Sequence, residues 1–347
     1  LAEVVLIPHD LPQLREMVAL CYEHFVPITP RGTGTGNYGQ AVPLAGGAVL
    51  DTSRLQQIIR IEDGWIHAAC GASFSALEAA ARETGQELAL YPSTKESCLG
   101  GFLGGGAGGA GSVKNGFKWN NFVRELTLVT CTEDARLEQV DGAALNDHLH
   151  AFGTTGIFVA ATVRLEPARN WTAVFLSFDP TQWRDAAACA LELCRLPITP
   201  RLASMDQPQT LALYPPHRWM PPGRINLRVM VDQSSLSHDL PTIVAKHGGH
   251  IEGSANDELD TLHSHSYNHV TLHAKKADAA YCHVQVSGDA LFERIEAIAA
   301  ILPGAALHCE ARLVGTELSL GGVLLSKFSD EPSLRHGMDR LRELGVQ

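Results

Sequence analysis

The sequence predicts an α+β protein built from two domains. Three observations predict it. The chain has 347 residues, 45% of them hydrophobic, enough for two or three separate cores. Its glycine-rich first half alternates short apolar runs with helical periodicity, and after Pro167 the pattern changes to three strand–helix–strand units in a row.

Val4 to Pro8 reads as a buried strand. Asp10 then acts as an N-cap, with Gln13 three residues on and Leu11, Leu14, Val18 and Cys21 at helical spacing. Phe25 to Thr29 is a second strand, running into the turn RGTGTG from Arg31 to Gly36, and Ala48 to Asp51 is a third. Trp65 to Cys70 is a strand, followed by a helix capped by Ser73 and ended by Gly85. Beyond a glycine-rich stretch read as a loop, Leu126 to Thr130 and Gly156 to Leu165 are strands. A boundary near 167 to 171 then gives domains 1–168 and 169–347. In the second half the strands Ala173 to Phe178, Ile225 to Val231 and Tyr281 to Val286 each precede a helix, which suggests ferredoxin-like units with helices on one face of a sheet. Leu334, Met338 and Leu341 mark a final helix, free to return to the first domain.

The 38 acidic and 27 basic residues give a formal charge of −11, with Lys and Arg scattered rather than gathered in a stripe. Nucleic acid and anionic surfaces are therefore not expected partners. No apolar run reaches the ~20 residues of a transmembrane helix. No segment reads as a signal peptide, although Leu1 already abuts a strand and a trimmed start is expected. Eight widely spaced cysteines without a CxxC pair suit free thiols in a reducing cytoplasm. A cytoplasmic location, with peripheral membrane association left open, is the expectation.

Eight of the twelve residues from Gly100 to Gly111 are glycine, and RGTGTG is a second cluster. Glycine is the costliest residue to order, so such clusters imply positive φ or a ligand lying close against the backbone. Successive N–H groups in these turns form a nest for phosphate oxygens, and bare main chain admits a flat ring. RGTGTG lacks the GK[ST] ending of a P-loop and the GxGxxG spacing that opens a Rossmann helix, and alone it would read as a surface turn.

Three segments in order change that reading: ITPRGTGTGNYGQAVPLAGGAVLDTSRL (Ile28 to Leu55), YPSTKESCLGGFLGGG (Tyr91 to Gly106) and FGTTGIFVAATVRLEP (Phe152 to Pro167). Together they resemble the PCMH-type FAD-binding domain of the vanillyl-alcohol oxidase, D-lactate dehydrogenase and glycolate oxidase flavoproteins. The resemblance covers about the first half of the chain. It implies FAD, with Arg31, Gly32, Thr33, Gly34, Thr35 and Gly36 around the pyrophosphate and Asn37 and Tyr38 nearer the flavin ring. Its second loop would contribute Pro92, Ser93, Thr94, Ser97, Gly100, Gly101 and Gly104, and its third Gly156 and Ile157. Many relatives attach the flavin through a histidine in the first loop. None stands between Arg31 and Pro43, which implies non-covalent FAD, and Cys98 is read as a buried thiol rather than a thioether partner.

In the second half, HSHSYNHVTLH (His263 to His273) concentrates four histidines in eleven residues. Its alternation and β-branched residues favour a strand, with His263, His265, Tyr267, His269, Thr271 and His273 on one face; as a helix, 265/269 and 269/273 would be neighbours. Any single one of these is more simply a structural or solvated histidine; as a cluster they suggest function. Two roles stay open: a base that takes the hydroxyl proton of a substrate, or a divalent metal site from His265, His269 and Glu310. The GHxGDGNxH motif of metal-dependent relatives is absent, so a divalent metal is left open but not favoured. YNHVTLHAKK resembles a cap-domain signature of a less characterised branch of the family, which makes His269 and His273 the catalytic candidates. Arg224 and Arg228, on one face of a strand, are candidate anchors for a carboxylate.

The resemblance implies an FAD-dependent oxidase or dehydrogenase of the CH–OH group of a small 2-hydroxy acid, with the electron acceptor not indicated. The alternative is a non-catalytic FAD-binding subunit of a glycolate-oxidase-type complex, against which the histidine row argues; a homo-oligomer is left open as well. The related enolpyruvyl-sugar reductases fit less well, because the second half is longer than their substrate domain.

Overall fold

The computed structural model describes residues 2–36, 39–237, 239–288, 290–302 and 304–347, so the predicted flavin neighbours Asn37 and Tyr38 lie outside the described residues. The chain divides into two compact units, Leu1–Gly109 with Phe117–Arg169, and Ala110–Gly116 with Asn170–Gln347. Among the described residues no helix is long and apolar enough to cross a membrane.

Unit 1 opens with β1 (Val4–Leu6), α1 (Leu11–Glu23), β2 (Ile28–Arg31) and β3 (Ala48–Asp51). The three strands form a parallel sheet in the order β1-β3-β2. Asp10 caps α1 by accepting from the Gln13 amide, and Leu14 and Val18 pack on Leu50, Val129 and Ile157. The second strand begins later than its sequence suggests. Phe25 sits at φ 54° with 92% of its surface exposed, so the chain turns there before pairing starts at Ile28.

A second sheet follows, from β4 (Ile58–Glu62), β5 (Trp65–Ala69), β6 (Gln86–Leu88), β7 (Val123–Val129), β8 (Leu137–Asp141) and β9 (Ile157–Pro167). Its order is β4-β5-β9-β7-β8, with β6 on the far end of β9. Helix α2 (Phe74–Glu83) is capped by Ser73, as its sequence predicts. The glycine stretch is not a plain loop: Leu99–Gly105 form helix α3, with Leu99, Phe102 and Leu103 buried. Those three apolar residues at i, i+3 and i+4 outweigh the low helix propensity of the glycines between them.

Unit 2 takes in α4 (Ser112–Asn115), which places Val113 in its main core. It continues as β10 (Trp171–Phe178), α5 (Trp183–Leu193), β11 (Leu202–Asp206), α6 (Pro208–Leu211), β12 (Ile225–Asp232), α7 (Asp239–Lys246) and β13 (His250–Ala255). Then come α8 (Leu259–Ser264), α9 (Asn268–Ala277), β14 (Tyr281–Ser287), α10 (Ala290–Glu293), α11 (Ile295–Ile301), β15 (Ala306–Val314), β16 (Glu317–Lys327) and α12 (Glu331–Glu343). The seven strands make one antiparallel sheet, β13-β10-β12-β11-β15-β16-β14. Helices cover both of its faces rather than one, which is why every residue of β12 is buried. Residues of α5, α7 and α10 to α12 pack on one face, and Leu211, Leu262, Val270 and Ala274 pack on the other.

The histidine-rich segment is helical, not a strand. α8 and α9 meet at Tyr267, a non-glycine residue at φ 46°. Leu262 of α8 and Val270 and Ala274 of α9 are fully buried, the last two one helical turn apart, so packing against the sheet overrides the β-branched signal.

Candidate functional site

Unit 1 holds a cleft of about 750 Å³, open mouth included, walled by all three predicted glycine segments. The first segment lines it from Arg31 through Gly36. Gly100, Gly101 and Gly104 of α3 line it as well, and so do Gly156 and Ile157 at the start of β9. Gly34 at φ 71° and Gly156 at φ 138° need conformations that side-chain-bearing residues rarely adopt. Ser97 supports the cleft from behind, its Oγ 2.6 Å from Thr35 Oγ1. The Cys98 amide donates to Thr33 Oγ1 at 3.2 Å, which ties the first loop to the second. Pro92, Ser93 and Thr94 are not among the described residues lining the cleft, and Ser93 is buried.

Two glycines show that the cleft is shaped from both sides. At Gly32 an added Cβ would collide with Cys98 Sγ, so this turn must lie flat on the start of α3. At Gly104 the opposite holds: an added Cβ would meet nothing nearer than Phe158 Cε2 at 3.9 Å. Packing among the described residues does not require glycine there, although glycine within a helix costs about 0.5–1 kcal/mol against alanine. The bare surface faces the cleft. Backbone N–H groups, small hydroxyls and uncovered main chain fit a pyrophosphate with an attached flat ring. Cys98 Sγ accepts from the Gly101 amide at 3.4 Å, an N-cap role consistent with a structural thiol.

Unit 2 carries a different constellation, which the sequence analysis misses apart from Arg228 and Glu310. Strand alternation points Asp206 of β11, Asn226 and Arg228 of β12, and His308 and Glu310 of β15 to one face. The register sets Asp206 opposite both Asn226 and His308, and Ser204 opposite both Arg228 and Glu310. His308 bridges the two carboxylates, Nδ1 2.8 Å from Asp206 Oδ1 and Nε2 2.9 Å from Glu310 Oε1. Arg228, with no exposed surface, pairs with Asp206 and donates to Asn226 Oδ1 at 2.9 Å and to the His265 carbonyl at 3.0 Å. Tyr214 donates to Asp206 at 3.1 Å. Burial works against the charge on Asp206, but Arg228 and His308 hold its carboxyl below the usual range. Burial alone would lower His308 too; Asp206 and Glu310 on its two nitrogens outweigh it and raise it to about 9.

A histidine lifted from 6.5 to about 9 stabilises unit 2 fully below about 6.5, and this is lost as pH rises through about 9. The depressed Asp206 acts oppositely, its contribution being lost in acid. Urea unfolding of wild type and His308→Gln across this range is expected to show the difference between them shrinking as pH rises from about 6.5 to 9. A constant difference would rule out a protonated His308 in the folded state.

Over this network lie His265, which ends α8, and His273 of α9. The rings of His265 and His273 stack at 5.2 Å and 15°, and Tyr214 packs against both, at 4.7 and 5.1 Å. His265 is buried; its Nδ1–H donates to the Thr261 carbonyl at 2.7 Å, and its Nε2 has no partner among the described residues. Burial, reinforced by Arg228, pushes it down to about 4. His273 is partly exposed and donates from Nε2 to the Ser264 carbonyl at 2.9 Å, and burial lowers it and His269 as well. The structure therefore brings His273 to the network through His265 and places His269 one turn before it on α9. The metal set His265, His269 and Glu310 is not assembled: Glu310 is taken up by His308 and the Tyr267 amide. Among the described residues no group of three His, Cys, Asp or Glu could hold a metal ion. Arg224 precedes β12 and is partly buried, its Nε donating to Ser177 Oγ at 2.8 Å.

A family described as an FAD binding domain matches residues 2–137. The D-lactate dehydrogenase of Archaeoglobus fulgidus is 30% identical over 216 residues, 59% of this chain and 47% of that protein. Glycolate oxidase subunit GlcD of Bacillus subtilis is 27% identical over 226 residues, 61% of this chain and 47% of that one. The chain thus spans about half the length of these curated relatives. Among solved structures, an alkyldihydroxyacetonephosphate synthase superposes with a TM-score of 0.77 over 99% of this chain and 71% of its own, at 15% identity, which shows the fold. Residues 2–137, which carry the first two glycine segments of the unit 1 cleft, match an FAD binding domain, and the chain is similar in sequence to these two proteins.

Proposed function

We propose that this chain is an FAD-dependent oxidoreductase that oxidises the carbon–hydroxyl group of a small 2-hydroxy acid. The observation that carries the reading is the bare floor of the unit 1 cleft at Gly104, where glycine answers to a ligand rather than to protein packing. The relatives named as D-lactate dehydrogenase and glycolate oxidase subunit support the substrate class. When bound, FAD supplies the acceptor for the hydride leaving the carbon that bears the hydroxyl.

The protein's own task is to hold the cofactor and to take the hydroxyl proton. Arg31 to Gly36 bind the pyrophosphate against the bare face that Gly100, Gly101 and Gly104 give α3, and with no histidine in the first loop and Cys98 committed to α3, the FAD is non-covalent. His273 is the proton acceptor, with His269 beside it. Burial keeps both imidazoles neutral, the state in which they can accept a proton. His265 fixes the His273 ring by stacking. Arg224 is the arginine for the substrate carboxylate, since Arg228 is committed to Asp206.

The test is a visible spectrum before and after acid precipitation, then anaerobic addition of glycolate and D-lactate. Yellow colour that passes to the supernatant and bleaches with one substrate is expected. Yellow protein that no hydroxy acid bleaches would favour the second reading, a flavin-binding subunit that needs a partner, which the word subunit in the GlcD relative's name supports. Colourless protein that cannot be reconstituted with FAD would sink both.

A further inference from the structure

Lys118 is a fully buried ammonium in unit 1 whose surroundings are main chain. Its Nζ donates to the carbonyls of Phe102 at 3.0 Å, Leu103 at 2.6 Å and Gly106. These carbonyls belong to the last turn of α3 and the residue after it; the Phe102 carbonyl also accepts from the Gly106 amide at 2.9 Å and the Leu103 carbonyl from the His150 amide at 3.0 Å, so Lys118 adds a charged donor where the helix ends. The same helix presents Gly100, Gly101, Gly104 and Gly105 to the cofactor cleft. Four glycines in seven residues give α3 little intrinsic helicity, so its end depends on outside contacts: the His150 and Phe152 amides, which donate to the Leu103 and Gly104 carbonyls, and the Lys118 ammonium. Lys118 is the charged one of these contacts and joins three of the carbonyls, and the Phe102 ring, 5.7 Å from its Nζ, covers it.

We propose that Lys118 is a positioning residue for the cofactor: its ammonium holds α3 in the geometry that grips FAD, and loss of one proton loosens that grip. The inference rests on the FAD reading above. The charged group has three N–H donors for three carbonyls, and the neutral amine has two. α3 brings no titratable side chain to the site. The segment before β9 brings His150, whose Nδ1–H donates to the same Gly106 carbonyl at 3.0 Å. Burial, with Lys118 beside it, lowers His150. Burial alone lowers Lys118, to about 7, so the exchange from three donors to two falls near neutral pH.

FAD affinity measured by quenching of flavin fluorescence, at about pH 6 and about pH 8.5, tests this on wild type, Lys118→Met and His150→Gln. The wild-type Kd is expected to rise about three- to tenfold at the higher pH, as one hydrogen bond is lost. Lys118→Met is expected to bind FAD about tenfold more weakly with a Kd that no longer depends on pH, whereas His150→Gln keeps the rise. Lys118→Met with the wild-type Kd and slope would overturn the proposal, and so would a rise abolished by His150→Gln instead. Should Lys118→Met fail to fold, a flat wild-type Kd overturns it and a sloping one retained in His150→Gln supports it. A wild type that binds no FAD at either pH is a different result, which overturns the flavin reading itself.

Discussion

Arg228→Met is expected to cost unit 2 about 3–5 kcal/mol, the range for breaking a buried ion pair by removing one partner. The cost arises from what stays behind. Asp206 has no exposed surface, and without the guanidinium its charge rests on His308 and Tyr214 alone. The Asn226 side-chain carbonyl and the His265 main-chain carbonyl each lose a donor, in surroundings that water does not reach. Arg228→Met combined with Asp206→Leu should recover part of the loss, because the uncompensated charge leaves with its partner. Urea unfolding followed by tryptophan fluorescence, with Trp183 buried in the main core of unit 2, gives the measurement. A loss below about 1 kcal/mol would mean that Asp206 takes up a proton or finds water, and the network would then not be the closed unit that its distances describe.

That network was hidden from the sequence for a physical reason. Alternation along each strand is local, so Asn226 and Arg228 can be put on one face by counting. What makes them a site is the neighbour relation of β12, β11 and β15, which joins residues 206, 228 and 308 through antiparallel register. No motif announces such long-range pairing. The glycine cleft was legible because its three segments are each local and each carry a backbone demand. Even there, α3 was hidden by its glycines, and Lys118 reads in sequence as one lysine among scattered others. The histidine row was misread because alternation of polar residues imitates a strand. The decisive residues were the apolar ones, Leu262 on α8 and Val270 and Ala274 one turn apart on α9, all packed against the sheet.

Gly104→Ala is expected to move two quantities in opposite directions: the apo form of unit 1 should gain about 0.5–1 kcal/mol, while FAD affinity should fall about a hundredfold. The gain follows from helix propensity at a position where a methyl group has room, with 3.9 Å to the nearest described atom. The loss follows because that methyl group would stand on the floor of the cleft, where the cofactor must lie. Gly32→Ala is the contrasting case. Its methyl group meets Cys98 Sγ within the protein, so both stability and affinity should fall, and adding Cys98→Ala should restore much of each. The Cβ of residue 98 lies 3.7 Å away, an ordinary contact once the sulfur is gone. Apo melting temperature and FAD Kd, measured on the same preparations, separate the two. If Gly104→Ala lowers stability, or leaves the Kd unchanged, then glycine at 104 serves internal packing and the cleft has another occupant. If Cys98→Ala fails to rescue Gly32→Ala, the first loop must approach the ligand itself more closely than it approaches α3.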